Sequence, residues 1–383
     1  MMRRSAPLLI LVIVAAFASL SSGAGLQRHA ARTPAAGSVA PSTAPSAALE
    51  QLAGQRVIYS YGGLTPPRSL LQAIRAGEAG GVIFFAPNIS SRSQIRAVIA
   101  QLQQAALSSR LHRKLLMMTD QEGGQVRRLP GAPTLSEKQI GASANSTILA
   151  RSAGEGAGRN LASAAINVNL APVLDVYRQP GNFIDEFGRS YSNGGAKVAA
   201  LGEAFISSQQ RAGVAATAKH FPGLGAASRS QNTDLAPVTL NMSLKTLRAV
   251  DEAPYRGAMA AGVKLVMTSW AIYPALDPHR PAGLSSAVIG GELRGRLGFR
   301  GVTITDGIEA GAVTPYGGLA KRSVLAAAAG ADLILCAAPN PDDNRPKIGF
   351  TARDAIAAAL ADGQLNRSSA EQAAARILAL RAA

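Results

Sequence analysis

Polar or ionisable residues follow several short apolar runs, at positions where such side chains could take part in chemistry. They are Asp120 after the run ending at Thr119, Asp175 beyond the run ending at Leu170, Lys219 and His220 after Ala218, Ser269 and Trp270 after Thr268, and Asp306 after Thr305. Groups of this kind are costly beside buried strands unless they are paired or used. Five strands that end in this way favour a shared cleft over isolated salt bridges. In such a cleft Lys219 could form a Schiff base, as in a lyase or aldolase.

Eight apolar runs would supply the strands that carry these residues. The runs are Arg56–Tyr59, Gly81–Phe85, Leu115–Thr119, Ile166–Leu170, Ala215–Ala218, Lys264–Thr268, Val302–Thr305 and Asp332–Cys336. Segments with helical periodicity lie between them, including Ser91–Leu107, Ser285–Leu297 and Ser243–Ala261, which Pro254 is expected to bend or break. Buried strands that alternate with helices indicate parallel strands covered on the outside.

The predicted fold class is therefore α/β, a single (β/α)8 TIM-like barrel, with its site where the strands end. An open doubly wound sheet is the alternative. Such a sheet would usually carry a glycine-rich nucleotide fingerprint after its first strand, and Tyr61-Gly62-Gly63-Leu64 is not that fingerprint.

The beginning of the chain has a pattern typical of export. Arg3 and Arg4 precede an apolar run from Pro7 to Leu20, and small residues follow, so residues 1–24 are predicted to be a signal peptide. An uncleaved N-terminal membrane anchor is the alternative. Residues 25–46 are rich in Ala, Ser, Pro and Thr and are predicted to be a flexible linker. Residues 47–383 form the predicted catalytic domain. The protein is expected to be extracellular, associated with the cell wall, or periplasmic.

Composition excludes several classes of protein. The chain is 47% hydrophobic and 16% charged, so it can bury a large core and is not globally disordered. The single cysteine, Cys336, excludes an internal disulfide framework and a cysteine-based metal cluster. The net charge of +16 is spread thinly, and no signature of nucleic-acid binding accompanies it. No metal or organic cofactor is implied.

The order and spacing of five motifs resemble glycoside hydrolase family 3, most closely its bacterial β-N-acetylhexosaminidases. The motifs are Asp120-Gln121-Glu122-Gly123-Gly124 with Val126 to Leu129, Asn169 to Val176, Gly188-Arg189-Ser190-Tyr191, Lys219-His220-Phe221-Pro222-Gly223, and Leu297-Gly298-Phe299 to Thr305-Asp306. The resemblance covers nearly all of the predicted domain.

The resemblance implies roles for individual residues. Asp306 matches the family's nucleophile, which forms a covalent glycosyl-enzyme that water releases with retention. The positions that match the family's sugar-binding residues are Asp120, Arg128, Arg189, Lys219 and His220. Trp270 stands where the family tends to have histidine, and it could stack on a sugar face or pack in the core. Glu122 and Asp175 could be structural.

The loop after the fifth run departs from the family pattern. The family carries an Asp-Ser-His triplet there, whose histidine is the general acid/base. Without a gap, Ser230-Gln231-Asn232 stands at the triplet, and Asn232 cannot transfer protons near neutral pH. With a loop two residues longer, Asn232-Thr233-Asp234 takes its place and Asp234 replaces the histidine. Asp234 could supply the proton or could cap a turn, and Glu309 or Asp185 could act instead.

The function expected is that of a retaining exo-glycosidase acting on β-linked sugars, with terminal N-acetyl-β-D-glucosamine from cell-wall fragments as the leading substrate. Peptidoglycan fragments are the candidate partners, and a monomer is expected. The alternative is a carbohydrate-binding protein on the same scaffold that is weakly active or inactive. The altered loop favours that alternative, whereas the presence of Asp306 opposes it.

Overall fold

A computed structural model describes residues 45–337 and 346–382. The predicted signal peptide or anchor and nearly all of the predicted linker lie outside these residues. Among the helices of the described part of the chain, none combines the length and the apolar character that crossing a bilayer requires.

Within the described residues, eight parallel strands close into a barrel, which confirms the predicted fold class. The strands are β1 (Val57–Tyr59), β2 (Gly81–Ile83), β3 (Leu116–Thr119), β4 (Val168–Asn169), β5 (Ala215–Phe221), β6 (Leu265–Thr268), β7 (Val302–Gly307) and β8 (Leu333–Leu335). Each neighbours the next along the chain, and β1 closes the ring by pairing with β8 through Val57 and Ile334. Each of the eight predicted runs therefore contains or overlaps one barrel strand.

Helices cover the outside of the barrel. The α-helices are Ala47–Gly54, Arg68–Arg75, Arg92–Leu107, Glu137–Ala142, Ser146–Ser163, Gly195–Arg211, Leu244–Thr246, Ala253–Ala260, Leu319–Ala329, Pro346–Ala361 and Arg367–Ala382. Short 3₁₀ turns span Ala86–Asn88, Asp185–Phe187, Ala282–Leu284 and Gly311–Tyr316, and π-helical segments span Leu247–Asp251 and Ala287–Arg296. The expected break at Pro254 is present, since a new helix begins at Ala253.

Alternation along each strand divides the core into an inner and an outer part. Ile58, Met118 and Ile304 belong to a cluster inside the barrel, which Ile377 of the last helix also joins. The next residues along the strands, such as Tyr59 and Met117, belong to the layer that packs against the helices. Because side chains of a strand alternate in direction, a run that is apolar throughout can fill both layers.

Two antiparallel hairpins extend the rim of the barrel. Gln121–Gly123 pairs with Val126–Arg127 directly after β3, and Ile272–Tyr273 pairs with Asp277–Pro281 after β6. The first hairpin turns the chain back over the barrel mouth, because Gly123 and Gly124 adopt positive φ angles of 121° and 55° that favour glycine. This turn carries Glu122 and Arg128 to the same end of the barrel as Asp120.

Candidate active site

A cavity of about 230 Å³ opens at the carboxyl-terminal ends of the strands. Seven of the eight residues predicted from the sequence line it, namely Asp120, Arg128, Arg189, Lys219, His220, Asp234 and Asp306. Its floor consists of barrel side chains that include Leu170, Met267 and Leu335. The cavity therefore combines an apolar floor with a ring of ionisable groups from six different loops or strands, which is typical of an active site in this architecture.

A buried network of charges forms one wall. The ammonium group of Lys219 lies 2.9 Å from Asp120 Oδ1 and 2.7 Å from Glu122 Oε1. Arg189 donates two hydrogen bonds to Glu122, from Nε to Oε2 and from Nη2 to Oε1, both 2.9 Å long. Lys219 and Glu122 are each 2% exposed, so water does not compete for these bonds. The network fixes the positions of the two cations in the wall of the cavity.

The charges in this network stabilise one another against burial. Burial alone would raise the pKa of Glu122, but the Arg189 guanidinium and the Lys219 ammonium outweigh it and lower the pKa to about 2. Burial alone would lower the pKa of Lys219, but Asp120 and Glu122 raise it. A lysine needs a lowered pKa to be a nucleophile near neutral pH. The Schiff-base hypothesis is therefore opposed by both the ion pairs and the pKa of Lys219.

Asp175 positions His220 from behind the cavity. Its Oδ2 lies 2.7 Å from His220 Nδ1, and its Oδ1 accepts hydrogen bonds from the backbone N–H groups of His220 and Leu224. A carboxylate can only accept, so Nδ1 donates and Nε2 remains for a ligand. Asp175 and Glu122 do not line the cavity. Each of them contacts residues that do: Asp175 holds His220, and Glu122 holds Lys219 and Arg189.

Asp306 stands at the end of β7, half-buried in the wall of the cavity. Its Oδ1 accepts a 2.8 Å hydrogen bond from the N–H of Gly307, which leaves Oδ2 toward a ligand. The side chain forms no salt bridge with any residue that the structure describes. An unpaired carboxylate at the end of a barrel strand is available for nucleophilic attack.

The loop after β5 brings Asp234 to the same cavity. The carbonyl oxygens of Thr233 and Asp234 accept hydrogen bonds of 3.0 and 2.8 Å from the N–H groups of Ala312 and Gly311, which belong to the turn after β7. Gly311 has to be glycine here, because a Cβ at that position would lie 2.1 Å from the carbonyl oxygen of Leu235. The loop is thus tied to the strand that carries Asp306, and Asp234 lines the cavity beside it.

The surroundings of Asp234 favour its protonated form. Asp234 is an exposed residue at the mouth of the cleft, and it lines the cavity together with Asp306. Burial in the cleft and the negative charge of Asp306 raise the pKa of Asp234, although Arg189 and His220 act in the opposite direction. A protonated carboxyl group beside an unpaired carboxylate is the arrangement that lets two acids take different roles.

The two other proposed proton donors occupy different places. Asp185 is 1% exposed and pairs with Lys138 at 2.5 Å, and it lines no described cavity near Asp306. Glu309 lines a second, outer cavity but not the inner one. Asp234 and Asp306 line both cavities, so Asp234 is the better placed of the three carboxyl groups.

Trp270 lies behind the wall and not in the cavity. It is 1% exposed, its Nε1 donates a 2.8 Å hydrogen bond to the carbonyl oxygen of Gly307, and it lines neither cavity. Of the two roles considered for it, the structure therefore favours packing over stacking on a sugar. Through Gly307 the indole ring supports the strand end that carries Asp306.

Aromatic residues in the walls were not singled out from the sequence. Phe85 lies two residues beyond the end of β2 and lines both cavities, and the Cζ of Arg128 lies 5.9 Å from the centroid of its ring. Phe183 and Phe187 complete the inner wall. Phe85 could have been found by the strand-end argument, because it ends the second apolar run. Phe183 and Phe187 lie in a long loop and carry no comparable signal.

Within the described residues, no group of three His, Cys, Asp or Glu side chains is arranged to hold a metal ion.

The chain is similar to several known proteins over most of its length. An uncharacterized secreted glycosyl hydrolase from Arthroderma benhamiae is 46% identical over 89% of this chain and 95% of its own length. A beta-hexosaminidase from Nitrosomonas eutropha is 34% identical over 69% of this chain and 75% of its own length. A solved glycoside hydrolase family 3 beta-N-acetylglucosaminidase from Paenibacillus sp. str. FPU-7 has a TM-score of 0.80 and 37% identity over 87% of this chain. This chain spans 62% of that structure's length.

The family comparison agrees with the position of the site. The glycosyl hydrolase family 3 N terminal domain matches residues 48–380, which include all of the barrel strands and every residue of the cavity wall. The chain therefore belongs to glycosyl hydrolase family 3, and it is a glycoside hydrolase by family.

Proposed function

We propose that the protein is a retaining exo-glycosidase that releases a terminal β-linked N-acetylhexosamine, with Asp306 as nucleophile and Asp234 as general acid/base. The observation that carries the proposal is that these two carboxyl groups share one small cavity with opposite properties. Asp306 has an unpaired oxygen, whereas the pKa of Asp234 is raised. A retaining glycosidase needs such a pair.

In the first step, Asp306 Oδ2 attacks C1 of the sugar while the bond from C1 to the leaving oxygen breaks. Asp234 gives its proton to that oxygen, and the sugar remains as an ester on Asp306. In the second step, water attacks C1, Asp234 takes a proton from the water, and the bond between C1 and Asp306 breaks. Two displacements at C1 leave the product with the configuration of the substrate.

The size of the cavity supports attack on a terminal sugar. Its volume of about 230 Å³ is below the range of about 300–1,000 Å³ for pockets that hold drug-sized ligands, so it suits a single sugar ring. The hydroxyl groups of that ring can form charge-assisted hydrogen bonds with Asp120, Lys219, Arg128 and His220. The closed barrel beneath the floor leaves no path for a longer chain.

The identity of the sugar and the place of action are inferred from relatives and from the sequence. Two of the similar proteins are named beta-hexosaminidase or beta-N-acetylglucosaminidase, and one is named a secreted glycosyl hydrolase. We infer action outside the cytoplasm on N-acetyl-β-D-glucosamine at the end of cell-wall fragments such as those of peptidoglycan. A signal peptide over residues 1–24, with an uncleaved N-terminal anchor as the alternative, and a monomeric state are part of the same proposal.

A binding protein without turnover is the second candidate, because the loop after β5 lacks the histidine that the family uses. It predicts that the protein binds N-acetylglucosamine in calorimetry but does not cleave any N-acetylglucosaminide, including activated ones. The position of Asp234 opposes it, since a carboxyl group with a raised pKa stands in the cavity.

The test is hydrolysis of an aryl N-acetyl-β-glucosaminide by the wild type and by Asp306→Asn. We expect turnover with retention by the wild type and no turnover by the variant. Asp362→Asn is the matched control, because Asp362 is exposed and far from the cavity, and it should act like the wild type. Undiminished activity of Asp306→Asn would exclude Asp306 as nucleophile, and an inert wild type that still binds the sugar would favour the second candidate.

A further inference from the structure

A cavity of about 510 Å³ lies at the amino-terminal ends of the strands, opposite the active site. Its wall includes residues at which strands begin, namely Leu116 of β3, Val168 of β4 and Ala215 of β5. The last residues of the helix Arg367–Ala382 also line it. This basal cavity shares no lining residue with the active-site cavity, so its chemistry is separate from that of hydrolysis.

The basal cavity is lined by cationic side chains and not by carboxylates. Its described lining residues include Arg113, Lys114, Lys264 and Arg381, and there is no Asp or Glu among them. Arg113, Lys114 and Lys264 are exposed, and within the described residues their side chains form no ion pair. Like charges that line one cavity repel each other. An anion in the cavity would offset that repulsion.

Arg381 adds a charge that is buried without a counter-ion among the described residues. It is 8% exposed, and its guanidinium donates hydrogen bonds to the carbonyl oxygens of Arg113 and Lys114 and to the side-chain oxygen of Gln55. These three acceptors are neutral, so they satisfy N–H groups but do not balance the charge. Burial and the positive charge of Arg113 together lower the pKa of Arg381 to about 10. A nearby anion would stabilise a cation in such surroundings.

Other arginines at the same end of the barrel do have a counter-ion. Asp332 immediately precedes β8, and its carboxylate accepts hydrogen bonds from Arg294 at 2.6 Å and from Arg376 at 2.7 Å. Burial also lowers the pKa of Arg56, but there the charge of Asp332 acts in the opposite direction. No described residue of the basal cavity supplies a carboxylate to Arg381 in this way.

The neutral polar side chains of the basal cavity are already bonded to the backbone. Asn167 Nδ2 donates to the carbonyl oxygen of Leu115 at 3.0 Å, and its Oδ1 accepts a 2.7 Å hydrogen bond from the N–H of Met117. Gln210 Nε2 donates to the carbonyl oxygen of Gly262 at 3.0 Å. The groups that remain for a ligand are therefore mainly cationic, which favours an anion over a neutral sugar.

We propose that the basal cavity binds a phosphate group through Arg113, Lys114 and Lys264, with Arg381 contributing its charge. Four cations exceed the single charge of a carboxylate, whereas a phosphate monoester carries about −1.5 to −2 charges at pH 7 and has three strong acceptor oxygens. Guanidinium and ammonium groups both bind phosphate oxygens well. The volume of about 510 Å³ lies within the range of about 300–1,000 Å³ for small-molecule pockets, so the rest of a phosphorylated molecule also fits. The site goes beyond the function proposed above and does not depend on it.

The test is calorimetry of the full chain with inorganic phosphate, with NaCl added to keep the ionic strength constant. Lys114→Gln/Lys264→Gln removes two of the cations and keeps side chains of similar length. We expect the wild type to bind phosphate and the Kd to rise at least about tenfold in this double variant, because each lysine supplies a hydrogen bond between charged groups.

Lys197→Gln/Lys245→Gln is the matched control. It removes the same charge from two exposed lysines that do not line the basal cavity, so it should bind phosphate like the wild type. Absence of binding by the wild type, or equal binding by Lys114→Gln/Lys264→Gln, would overturn the proposal. An equal loss in the control would also overturn it, because the effect would then come from the overall charge.

Thermal unfolding separates a ligand site from a structural role of Lys114 and Lys264. Without phosphate, their double variant should unfold at the wild-type temperature or above it, because it has lost repulsion between unpaired cations. Phosphate should raise the midpoint of the wild type and of the control but not that of the double variant, since a ligand that binds only the folded state stabilises it. A lower midpoint of the double variant without phosphate would make the lysines structural and overturn the proposal.

Two further probes identify the source of the phosphate group. Glycerol 3-phosphate is a monoester, as in a phosphorylated small molecule, and dimethyl phosphate is a diester, as in the links of an anionic polymer. Whichever binds more tightly identifies the source, and failure of both to bind would overturn the proposal. Saturating N-acetylglucosamine should leave phosphate binding unchanged, whereas competition between the two would place phosphate in the active-site cavity and contradict the basal site.

Discussion

Replacing Asp234 by Asn removes the proton donor and keeps the shape of the side chain. The structure predicts a loss that depends on the leaving group. Departure of a sugar needs a proton on its oxygen, whereas departure of fluoride needs much less help. Since general acid catalysis contributes about 10²- to 10⁴-fold, kcat/KM for a disaccharide such as N,N′-diacetylchitobiose should fall by about that factor and kcat/KM for N-acetyl-β-glucosaminyl fluoride far less.

The pH dependence of the same variant gives a second readout. In the wild type, the burial of Asp234 and the charge of Asp306 raise the pKa of Asp234, so the active acid form persists above the usual range of an aspartic acid. The rate should therefore fall on the alkaline side as Asp234 loses its proton. In Asp234→Asn this alkaline limb should disappear from the profile of kcat/KM for the disaccharide.

The assay requires only initial rates on both substrates over a range of pH. Asp185→Asn and Glu309→Gln are measured beside Asp234→Asn, because each removes one of the alternative carboxyl groups. Asp185 lies outside the cavity, and Glu309 lines only the outer one. A loss confined to the disaccharide in either of these variants, or an equal loss on both substrates in Asp234→Asn, would refute the assignment of Asp234 as general acid/base.

Two further variants test how the site is held together. Gly311→Ala should lower kcat/KM for the disaccharide at least tenfold and affect the fluoride less, because its Cβ would collide with the Leu235 carbonyl and displace the loop that carries Asp234. Gly318→Ala is the control, because a Cβ added at position 318 would have no neighbouring atom within 4 Å. Equal losses of kcat/KM in the two variants would contradict the reasoning. Glu122→Gln should lower the free energy of unfolding at pH 7 by about 3 kcal/mol, because its two cationic partners hold the pKa near 2 instead of 4.5. The lowered pKa of Glu122 contributes stability above pH 4.5, and this contribution is lost as the pH falls toward 2. Denaturant titrations should therefore show a smaller difference in the free energy of unfolding between the wild type and Glu122→Gln at pH 3.5 than at pH 7. A difference that does not depend on pH would refute this account.

The fold was predictable because one physical pattern repeats eight times. Strands that are buried on both faces have to be apolar along their whole length, so runs such as Leu115–Thr119 and Val302–Thr305 stand out from the helical segments between them. The residues at which the strands end were harder to predict. The strand predicted over Ala215–Ala218 continues to Phe221, with an irregular register between Ala218 and Phe221, and the side chains of Lys219 and His220 in this stretch line the cavity.

The site was predictable where a residue follows a strand and not where tertiary contacts decide its position. Asp120 and Asp306 follow directly from the strand ends, and the structure places both in the cavity. Trp270 also follows a strand but turns toward Gly307 and Gly283, which no local pattern reveals. The position of Asp234 depends on hydrogen bonds to the turn at Gly311, nearly eighty residues away, so the sequence left its role open.

The identity of the nucleophile is the central claim, and trapping the covalent intermediate tests it most directly. A 5-fluoro analogue of N-acetyl-β-glucosaminyl fluoride should form the glycosyl-enzyme and release it slowly, because the added fluorine destabilises both transition states while the fluoride leaving group favours the first step. After proteolysis, mass spectrometry should find the sugar on the peptide that contains Asp306, and it should find none on Asp306→Asn. Attachment to Asp234 or any other residue, or retention of the label by the variant, would contradict the account.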